Sequence, residues 1–496
     1  EQLENKGNRI IQNAKIKNNH AKKSGGGIYL SGSELELGGN ASICANIANL
    51  NGGGIYCIKP TEDNISEDAN KSSTVKISGN VKIAANMVKN QPNSYSTDET
   101  SQVSIKNHEG YIEKQWINTE IKKVSDFQGL TAAIDNAKEN AASLKSQAIE
   151  LGDDIHANEK ISIGTNTDIT LILNGHNIEA NQADNKSESL FYISGENSSL
   201  TIKNKTSDEG ILEPNREIVN DNQIGKAGSY DKGTQQLTYY VTESIVQNDL
   251  IHTKESTYQY TMNLKSDTDK IGELIGNDID SVIKADNGGK VTIEGGIITG
   301  AKHGIKLGNQ AAMVMQGGYI VGCGSEVGSI DNTTTGDDGN SPENGAGIYA
   351  KGAAGIQIFD GVIAGNTTPK RGGGVFSNAG IVEIKGGIIA ANIAGNIGGG
   401  ICAQGTTVTT IGNSIKNETE AIPSLVISGN TAKAREILSD KKGNVNLGGG
   451  GIFTGSTAKL FILQNAYITN NRAERIPEIT TDGIRDGGNL GGGGVL

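Results

Sequence analysis

Gly25-Gly26-Gly27-Ile28-Tyr29-Leu30, running on as SGSELELGGNASICANIA through Ala48, is the stretch that decides the fold, because it begins again as GGGIY at Gly52. The phrase returns as GAGIY at Gly345, GGGVF at Gly372, GGGIC at Gly398, GGGIF at Gly449 and GGGVL at Gly492. A second phrase, Ile-x-x-Asn-x-small, accompanies it. Its asparagines are Asn19, Asn46, Asn366, Asn392, Asn430 and Asn471, with a looser copy at Asn86. Gly27 to Gly54 spans 27 residues and Gly374 to Gly400 spans 26, so the chain is an internal repeat.

Within each repeat the apolar residues stand two apart: Leu35 and Leu37, Val75 and Ile77, Val291 and Ile293, Ile356 and Ile358, Val382 and Ile384. Period two is the mark of strands with one buried face. Gly, Asn and Asp between the strands supply turns that need φ > 0. A unit this short cannot bury its own apolar face, so neighbours must stack. The expected architecture is all-β: a right-handed parallel β-helix solenoid climbing about 4.8 Å per coil. Its recurrent asparagines are expected to form an inward ladder, and the glycine triplets to mark turns too tight for a Cβ.

These two phrases resemble the GGAI and FxxN repeats of polymorphic outer-membrane proteins and related adhesin-like surface proteins. The match covers roughly residues 9–90 and 280–496, with Ile here where that family has Phe. The resemblance implies a parallel β-helix carried on a bacterial cell surface or secreted. It does not extend to a β-barrel translocator.

Composition agrees with a thin stacked core. The chain holds 69 glycines and 7 prolines, and aromatic residues make up only 4 %. A net charge of −12 and the lack of a basic cluster argue against nucleic-acid binding. No apolar run approaches the ~20 residues of a membrane-spanning helix. The chain opens and closes within repeats, so it is expected to be covalently continuous with a larger parent protein. Cys44, Cys57, Cys323 and Cys402 show no CxxC spacing and read as free structural thiols. Cys323 stands at the Asn position of its repeat (Ile320-x-x-Cys323) and is expected to be stacked and buried.

Along the chain, residues 1–105 read as the last coils of a first β-helix. Residues 106–123 read as a connector anchored by Trp116, the only tryptophan. From residue 124 to 496 a second β-helix is expected. Ser125 and Asp126 are N-cap candidates, and Phe127, Leu130, Ala133, Ile134 and Ala137 follow at helical spacing, so 125–141 reads as a capping helix. It would cover apolar core and strand edges that a solenoid otherwise leaves open. The phrase LILNGHNI at 171–178 resembles the opening coil of pectin-lyase-like β-helices. Residues 205–280 interrupt the repeat, and QQLTYYVTESIV and STYQYTMNLK there alternate as an inserted β-hairpin. Beyond 280 the coils are regular, with long loops at 324–344, 403–423, 433–447 and 474–490.

Enzymes built on β-helices converge acids and bases from adjacent coils. Here the acidic candidates are Asp153-Asp154, Asp337-Asp338 and Asp360, none with a convergent partner legible in the sequence. Asp153-Asp154 reads as solvated or cap-bound. Asp337-Asp338 lacks the spacing of a calcium loop. His176 and His303 read as turn histidines. No GxSxG, HExxH, Walker A or zinc spacing appears. No catalytic residue, metal ligand or cofactor is therefore assigned. Tyr239, Tyr240, Tyr258 and Tyr260 in the hairpin are the candidate ligand-binding residues, because tyrosine offers amphipathic area at low entropic cost. Cross-strand packing is the competing role for the same rings.

The sequence thus reads as a non-enzymatic stalk or passenger segment of an extracellular adhesin-like protein, with a host or neighbouring-cell glycan or protein as partner. The alternative is a carbohydrate-active β-helix: a polysaccharide lyase or hydrolase, or a phage tailspike body.

Overall fold

Alternating side chains make strands, and strands at a fixed repeat pair in parallel with the same position one repeat on. The computed structural model describes residues 9–58, 73–108, 121–139, 147–180, 188–205, 214–219, 226–246, 253–264, 270–325, 343–412, 425–435, 448–476, 479–480, 483–484 and 495, except 18, 45, 85, 89–90, 93–94 and 98–101. The protein is mostly β, its sheets are mainly parallel, and it divides into two units, Glu1–Glu120 and Ile121–Leu496.

In the first unit Arg9–Gln12, Glu34–Gly38, Thr74–Gly79 and Gln102–His108 form one parallel sheet. Lys15–Lys17, Ser42–Cys44 and Lys82–Ala84 form a second, and Ile28–Ser31, Ile55–Ile58 and Tyr95–Thr97 a third. Register places like on like: Ile16 beside Ile43 beside Ile83, and Leu37 beside Ile77. These residues, with Leu35, Ile55 and Val75, make the core of the unit.

The second unit begins with strand Lys122–Val124 and helix Phe127–Glu139. Asp126 is its N-cap, its Oδ1 accepting the Gly129 N–H at 2.7 Å. The helix buries Leu130, Ala133, Ile134 and Ala137 against Ile149, Leu151 and the strands that follow. It ends at Glu139 among described residues. From there a 17-stranded sheet and an eight-stranded sheet run the length of the unit, with a four-stranded parallel sheet beside its later strands. Strands climb in order, as in Ile348–Ala350, Val375–Ser377, Ile401–Ala403 and Ile452–Thr454. Alternate residues face inward and are at 0–2 % exposure, as Ile356, Val382, Ile384 and Ile411 are.

The expected connector 106–123 is strand at both ends, 106–108 in Gln102–His108 and 122–123 in Lys122–Val124. Trp116 lies outside the described residues, as do Asp337 and Asp338. Within 205–280 sits a separate antiparallel sheet in the order Asn215–Val219, Thr253–Asn263, Gln236–Val246, Ser229–Asp231. It is a hairpin with two further strands. Glu273–Ile275, at the end of the expected insertion, belongs instead to the 17-stranded sheet.

Candidate functional site

The asparagine phrase brings together residues far apart in sequence. The Asn366 amide nitrogen donates to Asn392 Oδ1 at 3.0 Å and to the Ile320 carbonyl oxygen at 2.9 Å. Asn392 repeats this toward Asn430 and Ile363, and Asn430 toward Asn471 and Ile389. Each backbone N–H in the column donates to the same Oδ1 as the amide beside it. Asn366, Asn392 and Asn430 are fully buried, with every amide hydrogen and Oδ1 engaged. Asn19, Asn46 and Asn86 form the equivalent column in the first unit. Cys323 heads the longer column, its N–H donating to Asn366 Oδ1 at 3.0 Å. Burial pushes its thiol up to about 12. None of the four cysteines is joined in a disulfide.

Glycine makes this column pack. A Cβ on Gly374 would sit 2.6 Å from the Gly400 carbonyl oxygen and 3.0 Å from Asn392 Nδ2. Gly372, at φ +70°, turns the chain into that approach.

The four tyrosines have divided fates. Tyr239 and Tyr240 are 2 % and 5 % exposed, while Tyr258 and Tyr260 are half-buried. Tyr239 stacks on Tyr260 with ring centres 5.1 Å apart. With Leu237, Val241 and Met262, Tyr239 packs on Tyr319, Val321, Val362 and Ala390, outward residues of the 17-stranded sheet. Polar contacts fix the same seat. Gly228 N–H donates to Gly429 O at 2.8 Å, Thr242 Oγ1 to Asn470 Oδ1 at 2.7 Å, and the Ser428 hydroxyl to the Tyr240 carbonyl oxygen. Tyr230 lies against Gly322 and Gly365, and burial raises its phenol above the ordinary range. Tyr239 and Tyr240 are therefore buried, Tyr260 packs beside Tyr239 at the same cluster, and Tyr258 and Tyr260 keep part of their surface open. The Arg216 guanidinium lies 3.7 Å from the Tyr258 ring centre.

A second surface escaped the reading of motifs. In the eight-stranded sheet Tyr192, Lys284, Lys306 and Tyr349 stand side by side on successive strands, facing outward. Each is the middle residue of an apolar-x-apolar triplet, which is the signal the sequence did offer. Lys284 pairs with Glu188 at 3.0 Å and Lys306 with Asp280 at 2.7 Å. The hydrogen bond from Lys284 holds the Glu188 carboxyl below its ordinary value.

The acids and histidines do not converge. Asp153 Oδ1 accepts the Asp154 N–H, Asp154 Oδ1 accepts the Asn177 N–H, and Asp360 Oδ1 accepts the Gly361 N–H. His176 lies 3.6 Å from Asp154. His303 is 2 % exposed, and its Nδ1 donates to the Gly345 carbonyl oxygen at 2.7 Å. Asp280 stands 3.9 Å from His303 Nε2, beyond hydrogen-bond reach. Among the described residues no group of three His, Cys, Asp or Glu side chains is placed to hold a metal ion. No helix among them is long and apolar enough to cross a membrane. Comparison of the chain with protein-family models, curated proteins and solved structures finds no match.

Proposed function

We propose that the chain is a right-handed parallel β-helix serving as a rigid, non-enzymatic stalk or passenger segment of an adhesin-like protein outside the cell. The supporting observation is the asparagine column, in which buried amides tie successive strands from Cys323 to Asn471. Such a column stiffens a scaffold and leaves its amides no capacity for a substrate. Binding on this reading belongs to exposed outer positions. Tyr258 and Tyr260, beside Arg216, suit the apolar face and hydroxyls of a surface glycan. Single contacts of this kind are weak and gain strength through valency.

The test is a glycan and polysaccharide array probed with the purified chain, with reducing-end release assayed on the same samples. Binding without release is the expected result. Release of oligosaccharide would overturn the non-enzymatic reading, and binding unchanged in Tyr258→Ser/Tyr260→Ser would overturn the hairpin as its seat.

A further inference from the structure

The inserted hairpin crosses many strands at once. Register sets Glu273, Ile297, Tyr319, Val362, Ile388 and Val426 side by side on six consecutive strands of the 17-stranded sheet. Ile297, Tyr319, Val362, Ile388 and Val426 all pack into one cluster with Leu237, Tyr239, Val241 and Met262 of the hairpin. Gln235 Nε2 donates to Glu273 Oε1 at 2.8 Å, which ties the first of the six. Thr242 bonds Asn470, just past Ala466–Thr469, the seventh strand in the row. Between Gln235 and Thr242, therefore, the strand that the hairpin touches advances from the first to the seventh.

The corners that follow these strands are shaped for the same seat. Gly322, Gly365, Ala391, Gly429 and Asn470 stand just after the last five strands of the row, all with φ between +54° and +65°. A Cβ on Gly365 would meet the Tyr230 Cβ at 2.2 Å, and its three nearest neighbours are all Tyr230 atoms. A Cβ on Gly429 would lie 2.6 Å from the Gly228 nitrogen. Alanine seldom adopts a left-handed backbone, yet Ala391 does, and its methyl faces Gly228, where an added Cβ would come within 2.8 Å. Asparagine satisfies the same backbone, as Asn470 shows. What bare corners allow, and asparagine would not, is the close approach of Gly228 and Tyr230.

In a stacked array each strand is held by its immediate neighbours, so opening can proceed one strand at a time. Here a strand that leaves its neighbours must also leave a hairpin that the other strands of the row hold in place. We infer that the hairpin is a strap that locks the row from Glu273–Ile275 to Ala466–Thr469 into one opening unit. These strands open together when the hairpin lifts, and separately only after it has lifted. Lifting uncovers an apolar stripe of Ile297, Tyr319, Val321, Val362 and Ala364. Gln147–Leu151 and Asp168–Ile172, earlier in the same sheet, contribute nothing to the seat and open independently of it.

The experiment is native-state hydrogen exchange of the full chain, read by mass spectrometry over a denaturant series, with Gly365→Asn and Tyr230→Ala as strap-lifting variants. Asparagine keeps the left-handed corner and collides with Tyr230, whereas Tyr230→Ala weakens the seat and leaves the 17-stranded sheet unaltered. Gly288→Asn is the control, since Gly288 has φ +87° and the nearest atom to an added Cβ is 3.8 Å away. Circular dichroism establishes that each variant is folded, and binding of an apolar dye to the uncovered stripe reports lifting separately. In the wild type and the control, amides around 297–299, 319–321, 362–364, 388–390 and 426–428 should share one opening. In the two strap variants dye should bind, and these amides should lose protection roughly tenfold or more and separate into openings of their own. Amides around 149–151 and 169–172 should stay as they were. Separate openings in the wild type overturn the inference. So does a shared opening that persists in a variant that binds dye. Wild-type exchange without dye binding in both variants overturns it as well, because Tyr230 would then hold nothing in place.

Discussion

Replacing Asn392 by leucine removes one rung from the middle of the longer asparagine column. The Asn366 N–H and one Asn366 amide hydrogen lose the oxygen they donate to at 3.1 and 3.0 Å, and the Ile363 carbonyl oxygen loses its donor at 2.9 Å. Asn430 Oδ1 keeps the Asn392 backbone N–H. The carbonyl retains a second lone pair, so the two orphaned donors dominate. Each buried donor without a partner costs about 1–3 kcal/mol. Their sum is about 4 kcal/mol, and apolar burial of the leucine offsets roughly 1 kcal/mol. A net loss of about 3 kcal/mol corresponds to roughly 100-fold faster local opening. Hydrogen exchange read by mass spectrometry is the suitable assay, since a long repeat array need not unfold in a single step. Amides around 363–366 and 389–394 should lose protection by that factor, while those around Leu35–Ile43 in the first unit stay as they were. The same change at Asn19, where the side chain is exposed, should alter protection little. Protection at 363–366 within roughly threefold of wild type would mean that the column contributes less than 1 kcal/mol per rung, and the reasoning would fail.

Gly374→Ala forces a Cβ to 2.6 Å from the Gly400 carbonyl oxygen, and should cost about 1–3 kcal/mol, read as a lowered thermal midpoint. Tyr239→Ser empties a site packed on Val321 and Val362 and should cost about 3 kcal/mol, whereas Tyr258→Ser should stay within about 1 kcal/mol; thermal unfolding separates them. In the native protein Cys44, half-buried, should react first with a thiol reagent, and Cys57, Cys323 and Cys402 only on unfolding. Because the folded thiol of Cys323 is raised to about 12, its contribution to stability is present below the ordinary thiol value and lost as pH rises toward that figure. Cys323→Ala should flatten that part of the alkaline stability profile, measured by urea unfolding.

Which features were legible from residues alone follows from what a repeat encodes. Period two at Leu35/Leu37 and Val382/Ile384 fixes strands and their buried face. A 26- or 27-residue repeat fixes which strand meets which, since like positions pair, as Ile348, Val375 and Ile401 do. The recurrence of Ile-x-x-Asn marked the residues that the structure joins by hydrogen bonds, and Cys323 among them. Asp126 was legible as a cap because N-cap chemistry is local.

What the sequence could not supply is what meets across non-repeating distance. Alternation in QLTYYVTESIV makes both faces of the hairpin available, and nothing local says which one lies on the coils. Tertiary packing decides it: Leu237, Tyr239 and Val241 go down onto Tyr319, Val321 and Val362, and Tyr258 is half-buried beside Arg216. The row Tyr192, Lys284, Lys306 and Tyr349 likewise exists only once its strands are stacked, because its members lie up to 157 residues apart in the chain. Periodicity is local and repeats, so the sequence by itself determined the strands, their inward faces and the asparagine ladder. The seating of the insertion and the make-up of the outer faces depend on contacts between non-repeating parts, and only the tertiary structure decided them.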